Sequence, residues 1–379
     1  MIHHQKCHNI NFIKPPINFD KNTSKCLLKY CLGGTLYMPS TKNILGKLIN
    51  KDFTNLTSFV MCFEDAISEI DLVEAEKNVL HHLQTLSNKV NNNELLLDDI
   101  PLFFVRVRNP RQFTSFIKKL NHDTASILSG FVFPKFSSSN SSDYLDELSG
   151  ANEVLETKLY GMPILEGPSI AFLESRVDEL FRLKKEISAF DDLILNLRIG
   201  GTDFSSIFGV RRGINTSIYD ILPVRDCISD ILNFFARDDA EYCLSAPVWE
   251  YFLADGHEDL SKHLDLNLHH SLLKRKPILN DAIDGLLREV LIDKSNGFVG
   301  KTVIHPSHLN YVNGMQAITK EEYEDALQIL NANDGVIKSV KSNKMNEVNP
   351  HTSWAKEVVL KADAYGVIED ESHYLRLFN

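Results

Sequence analysis

Eight short apolar runs of β-strand character recur along the chain: GGTLYMP, TSFVMCF, PLFFVRVR, SGFVFPK, YGMPILE, LILNLRIGG, EYCLSAP and GKTVIHP. Each is rich in Val, Ile, Leu, Phe or Tyr, residues that fit a pleated, buried surface. Most are followed by a segment with apolar residues at spacings of three and four, among them LVEAEKNVLHHLQTLSNKV and SIAFLESRVDELFRLKKEI, which read as amphipathic helices. Strands alternating with helices specify a parallel barrel or a doubly wound sheet, and eight repeats are the number that closes a barrel. The expected fold class is α/β, a (β/α)8 TIM barrel over residues 29–331, with an N-terminal tail over 1–28 and a linker and final helix over 332–379.

Local signals refine this outline. In ITKEEYEDALQILNAN, Thr319 precedes Glu322 by the capping-box spacing, which predicts a helix starting there. The polar stretch DGVIKSVKSNKMNEVN reads as a mobile linker before the last helix, HTSWAKEVVLKADAYG. The long, charge-rich connection from Asp255 to Asn296 predicts an extra helix before the last strand, with His257, His263, His269 and His270 on a solvated face. His3, His4, Cys7 and His8 gather metal-ligating side chains, but their spacing fits no standard zinc site, so the segment reads as a disordered tail.

Composition limits the partners. A formal net charge of -11 and a pI near 5.7 oppose binding to a polyanion, which argues against nucleic acid. Six cysteines without CxxC spacing read as reduced, mostly buried thiols. No run reaches the roughly 18 apolar residues that a membrane span requires, and MIHHQKCHNINF lacks the apolar centre of a secretory signal. The expectation is a cytoplasmic protein with no membrane partner.

In such barrels chemistry is built at the carboxyl ends of the strands, so the polar residues that end apolar runs are the informative ones. These are Glu64 and Asp65 on the second run, Arg106 and Arg108 on the third, Lys135 on the fourth, Glu166 on the fifth, Asp203 on the sixth and His305 on the eighth. Glu166 and Asp203 supply hard oxygen ligands from neighbouring strand ends and leave positions for water and substrate, as Mg²⁺ prefers, with Mn²⁺ an alternative. Arg106 offers a planar fork of donors suited to a carboxylate or an enolate oxygen. Of Arg106 and Arg108, one is expected to face the barrel interior and the other the helical layer or solvent, with Arg106 inward. Taken singly, FED also suits an ordinary helix start, Glu166 an ion pair, Asp203 a turn, and His305 a structural role at the eighth turn.

The segments LYMPST, FEDAIS, VRVRN, PILEGPSIA, GGTDFSSIFG and GFVGKTVIHPSHL, in that order, resemble the citrate lyase β-subunit and malyl-CoA lyase superfamily of Mg²⁺-dependent barrels, of the HpcH/HpaI aldolase type. More loosely, the chain resembles a divergent carbon–carbon lyase branch found with tellurite-resistance genes. The resemblance implies metal ligation by Glu166 and Asp203, substrate binding by Arg106, and a catalytic group of Arg106 with Glu64 and Asp65, the acidic pair orienting metal-bound water; Lys135, read from its strand-end position, is a further candidate for substrate binding. It also implies that the C-terminal segment is a helical lid over a barrel mouth, often a neighbour's, in a homo-oligomer such as a trimer. Two departures stand out: Gly33 and Gly34 where a basic residue usually opens the first strand, and PKFSSS where an acidic residue follows PK in the fourth. Both are expected to alter the mouth and weaken its grip on an acyl-CoA.

The function implied is a Mg²⁺-dependent carbon–carbon lyase or aldolase acting on a 2-oxo or 3-hydroxy carboxylic acid, free or as a CoA thioester, through a stabilised enolate. The rivals are an inactive metal-binding scaffold and a phosphoryl enzyme of the phosphoenolpyruvate type.

Overall fold

Side-chain alternation sorts each strand between two cores. On the second run Phe59 and Met61 pack outward with the helices while Val60 points inward, and on the third Phe103 and Val105 are outer while Leu102 and Phe104 are inner. This period of two, with apolar residues on both faces, is what a strand covered by helices on one side and barrel interior on the other demands. The computed structural model describes residues 1–5, 7, 10–237, 242–252, 271–272, 278–339 and 344–378.

The eight expected runs are the eight strands of one parallel sheet: β1 (Gly34–Pro39), β2 (Ser58–Cys62), β3 (Leu102–Arg106), β4 (Leu128–Phe133), β5 (Tyr160–Leu165), β6 (Leu197–Ile199), β7 (Leu244–Ser245) and β8 (Lys301–Val303). Neighbours in sequence are neighbours in the sheet, and β8 pairs with β1. The ring closes through Ala246, whose N–H donates to the Gly300 carbonyl and whose own carbonyl accepts from Thr302 N–H, both at 3.1 Å. The fold is therefore an α/β TIM barrel.

Thr319 caps its helix as its spacing with Glu322 predicts, accepting from Glu322 N–H while the Glu322 carboxylate accepts from Thr319 N–H. The second half of the Asp255–Asn296 connection contains helix Asp281–Ser295, while His257, His263, His269 and His270 lie outside the described residues. The segment read as a mobile linker contains an antiparallel pair, Val336–Lys338 with Met345–Glu347. Among the described residues all six cysteines are free thiols, four of them buried. No described helix is long and apolar enough to cross a membrane.

The N-terminal segment is not a loose tail. Met1, Phe19, Leu28 and Cys31 are buried in one cluster with the inner strand residues Leu102, Phe104 and Tyr160, plugging the amino-terminal end of the barrel. His3 is 1% exposed, its ring 4.3 Å from that of Tyr365 and its Nε2 2.9 Å from the Cys31 carbonyl oxygen. Burial pushes His3 well below the usual histidine range and His4 down to about 4, so both act as neutral aromatic filling. His8 lies outside the described residues. Histidine rings next to Phe12, Phe19 and Tyr365 are apolar enough to pack when neutral, which polarity alone does not reveal.

The final helix, Val348–Tyr365, also goes to that end. Tyr365 Oη donates to the Tyr30 carbonyl at 2.6 Å, and Asp363 pairs with Lys14 at 2.5 Å. The segment expected to act as a lid thus ends beneath its own barrel, opposite the mouth at which β1–β8 end, because Ala364 and Tyr365 complete the plug.

Candidate active site

The carboxyl ends of the strands surround a cavity of about 390 Å³ whose lining includes Tyr37, Asp65, Arg106, Glu166, Arg198 and Asp203. Strand parity places most of these. Glu166 continues the inward row of β5 through Met162 and Ile164, and Arg106 that of β3 through Leu102 and Phe104. Arg106 and Arg108 are two residues apart, a spacing that keeps both on one face of a continuing strand. They diverge because β3 ends at Arg106; Arg108 turns away and donates to the carbonyls of Phe63 (3.0 Å) and Ile67 (2.9 Å).

Glu166 is 3% exposed, and its Oε1 accepts from the Lys135 backbone N–H at 2.8 Å. Burial, then the charge of Asp203, pushes its carboxyl well above the usual range near 4.5. Asp203 lies in the first turn of helix Gly201–Ile207, immediately after β6. Neither carboxylate has an ion-pair partner among the described residues. Two carboxylates near enough to raise one another's pKa, one of them buried, repel each other unless a cation offsets their charge, so the pair fits a divalent metal. Among the described residues no group of three or more His, Cys, Asp or Glu is gathered.

Gly200 makes room for this pair: a Cβ there would fall 2.0 Å from Glu166 Oε2 and 2.4 Å from its Cβ. Gly200→Ala is expected to push Glu166 aside, costing about 1–3 kcal/mol by overpacking. Urea unfolding and Mg²⁺ titration together check this; unchanged values of both would refute the contact.

Glu64 is ion-paired on both sides. Its oxygens lie 3.0 Å from Arg106 Nη1 and 2.6 Å from Lys135 Nζ, so it is the counter-ion of both cations. Asp65, 62% exposed at the rim, is 3.8 Å from Lys135 Nζ. Lys135 adopts a left-handed conformation (φ 48°), which costs a non-glycine residue about 1–2 kcal/mol and lets its N–H reach Glu166 while its amine reaches Glu64. Burial opposes the charge of Arg106, but Cys62 and Glu64 outweigh it and hold the guanidinium ionised; Cys62 Sγ accepts from Arg106 Nε at 3.0 Å. His305 caps the turn Pro306–His308 and stacks on Phe252 at 4.3 Å.

At the two departures from the family pattern, the residues present do not line the cavity. Gly33 and Gly34 open β1 at the plugged end; Gly33 has φ 57°, and a Cβ there would meet Asn313 Oδ1 at 2.3 Å. Phe136 is buried in the outer core, and Ser138 donates twice to Glu179. A strand's opening residues face its far end, and the Phe136 side chain packs with the helices. Sequence reading also passed over Arg198, Tyr37 and Cys62, which stand inside apolar runs; their signal is the inward parity they share with Ile164 and Glu166 on neighbouring strands.

A closed (β/α)8 ring with acidic and guanidinium groups around one cavity at its carboxyl face defines the chain as one of the barrel proteins whose sites are carried on strand ends. More narrowly, residues 26–367 match the family described as C-C_Bond_Lyase of the TIM-Barrel fold, and the chain belongs to that family. No curated protein matches it. Solved structures with the same fold include the protein CitE from Mycobacterium tuberculosis in complex with magnesium, acetoacetate and coenzyme A, with TM-score 0.51 and 15% identity over 88% of this chain and 99% of that one. RipC from Yersinia pestis gives TM-score 0.45 and 16% identity over 75% and 94%. The magnesium/glyoxylate complex of Haloferax volcanii malate synthase gives 0.49 and 10% over 73% and 72%. At 15% identity the likeness to CitE is one of fold.

Proposed function

We propose that the protein is a Mg²⁺-dependent lyase or aldolase that makes or breaks a carbon–carbon bond next to the carboxylate of a 2-oxo or 3-hydroxy acid. The observation that carries this reading is the pair Glu166 and Asp203, which line one cavity with Arg106, interact electrostatically and have no ion-pair partner among the described residues. Magnesium in the M. tuberculosis CitE complex agrees with the ion chosen here. Held by Glu166 and Asp203, Mg²⁺ would supply a Lewis acid that polarises a substrate oxygen. Arg106, kept in place by Glu64 and Cys62, directs N–H donors at the oxygen where enolate charge develops. Lys135 joins Glu64, through its amine, to the Glu166 carboxylate, through its backbone N–H, so Arg106 and Glu166 are positioned together. A cytoplasmic location and a homo-oligomer belong to the same reading.

Enolisation tests it without knowledge of the full substrate. In D₂O, the methyl protons of pyruvate should exchange in the presence of enzyme and Mg²⁺, followed by NMR, and Asp203→Asn should stop the exchange. Arg106→Lys should slow it by about 10²–10³-fold while leaving Mg²⁺ affinity unchanged. Exchange that ignores both Mg²⁺ and Arg106 would remove the basis of the mechanism.

A further inference from the structure

We propose that Arg198 is a carboxylate-binding residue at the floor of the cavity, and that the ligand is a short 2-oxo or 2-hydroxy dicarboxylate held at its distal end by this guanidinium. The inference rests on the metal reading for the near end of the ligand only. Arg198 lies on β6 between Leu197 and Ile199, which pack outward, so its own side chain points into the barrel, where it is 1% exposed and lines the cavity.

Its charge has no counter-ion among the described residues. The neighbouring cations Arg106 and Lys135 are both paired with Glu64. Arg198 meets only neutral oxygens, Thr302 Oγ1 at 2.8 Å from Nη2 and Thr35 Oγ1 at 3.4 Å from Nη1, and its Nε has no partner. The Tyr37 ring lies 5.3 Å from its Cζ and 5.5 Å from that of Arg106, and Tyr37 Oη is also unpartnered. Hydroxyls and a ring face do not balance a desolvated guanidinium, whereas a carboxylate does so with charge-assisted bonds.

Depth sets the length of the ligand. Arg198 pairs with Ile164, two residues before Glu166, so its backbone lies about 7 Å beneath that of Glu166 at a strand's rise per residue, and its guanidinium reaches Thr302 on β8 and Thr35 near the start of β1. A four- or five-carbon diacid with one end at Glu166 and Asp203 brings its other carboxylate to that level. A monocarboxylate leaves the guanidinium buried and unpaired.

Calorimetry with malate and with 2-hydroxybutyrate, which carries a methyl group in place of the distal carboxylate, reads this directly on the full chain with Mg²⁺ present. The wild type should prefer malate by about 10–100-fold. Arg198→Met should bind the two acids within about 3-fold of each other, retain Mg²⁺ affinity and melt higher in the metal-free form, because an uncompensated charge has been removed. Arg198→Lys should keep part of the preference. A wild type without preference, a preference that survives Arg198→Met, or an Arg198→Met protein that melts lower and binds both acids equally weakly would overturn the proposal, the last by making Arg198 structural. The two readings fail separately: absent Mg²⁺ binding with an Arg198-dependent preference for malate removes the metal and keeps the arginine, while Mg²⁺ binding with no such preference does the reverse.

Discussion

Glu166→Gln is expected to weaken Mg²⁺ binding by more than about 100-fold, beyond what loss of an outer-shell partner costs, while making the metal-free protein more stable at pH 8. The opposite signs have one cause. Burial and the charge of Asp203 raise the Glu166 pKa above its ordinary value near 4.5. A carboxyl whose folded pKa is raised contributes stability that is fully present below the unfolded pKa and lost as pH climbs through the folded value. Glutamine stays neutral throughout and still accepts the Lys135 N–H through its Oε1. The stability gap should therefore be near zero at pH 4 and open as pH rises, reaching about 1–3 kcal/mol once wild-type Glu166 is ionised. Magnesium reverses the order, because it stabilises only the protein that binds it. Melting curves from pH 4 to 8.5, with and without Mg²⁺, check both halves. A variant that melts lower than wild type at pH 8 without metal, or one that still binds Mg²⁺, would dissociate Glu166 from the role given to it.

The parts of this arrangement differ in how visibly the sequence writes them. The eight strands are legible because Val, Ile, Leu and Phe in short runs have few other uses in a chain with so many amphipathic helices between them. Glu166, Asp203 and Arg106 are legible as candidates because each is the first charged residue after an apolar stretch, where a barrel puts its mouth. Arg198 and Lys301 stand within their runs, and a charged residue flanked by Leu and Ile or Thr and Gly announces neither its face nor its partner. Glu64 illustrates a third limit: its place at the mouth is readable, but its pairing with Arg106 and Lys135 rests on a conformation of Lys135 that no pattern specifies. The docking of the N-terminal segment and of the end of helix Val348–Tyr365 under the barrel is not legible, because it depends on neutral histidines and on tertiary fit, not on periodicity.

Glu289→Ala should be among the most destabilising substitutions outside the cavity, at about 3–5 kcal/mol, the usual result of removing one partner from a buried ion pair. Glu289 on helix Asp281–Ser295 is wholly buried, with its oxygens accepting from Arg212, from Lys301 at 2.9 Å, from Ser217 Oγ at 3.0 Å and from Ile218 N–H at 3.1 Å. Burial favours its neutral form, but Lys301 and Arg212 together outweigh burial and hold its pKa below the ordinary value. The stability it contributes is present above the unfolded pKa and lost as pH falls through the folded one. Asp293, the second partner of Lys301, goes the other way: burial dominates and raises it to about 6, so its contribution fades as pH rises through about 6. Asp293→Asn should therefore cost much less at pH 8 than Glu289→Gln, although both touch the same lysine. The network also reaches the mouth, since Arg212 donates to the Val248 carbonyl and pairs with Glu250, which accepts from Thr202 next to Asp203. Glu289→Ala protein that remains folded should lose about 10-fold in Mg²⁺ affinity, an outer-shell effect transmitted through that chain of contacts. Urea unfolding at pH 6 and 8 and Mg²⁺ calorimetry on the variants decide the matter. Equal costs for the Glu289 and Asp293 substitutions would contradict the charge assignment, and full Mg²⁺ affinity in Glu289→Ala would confine the network to a scaffolding role.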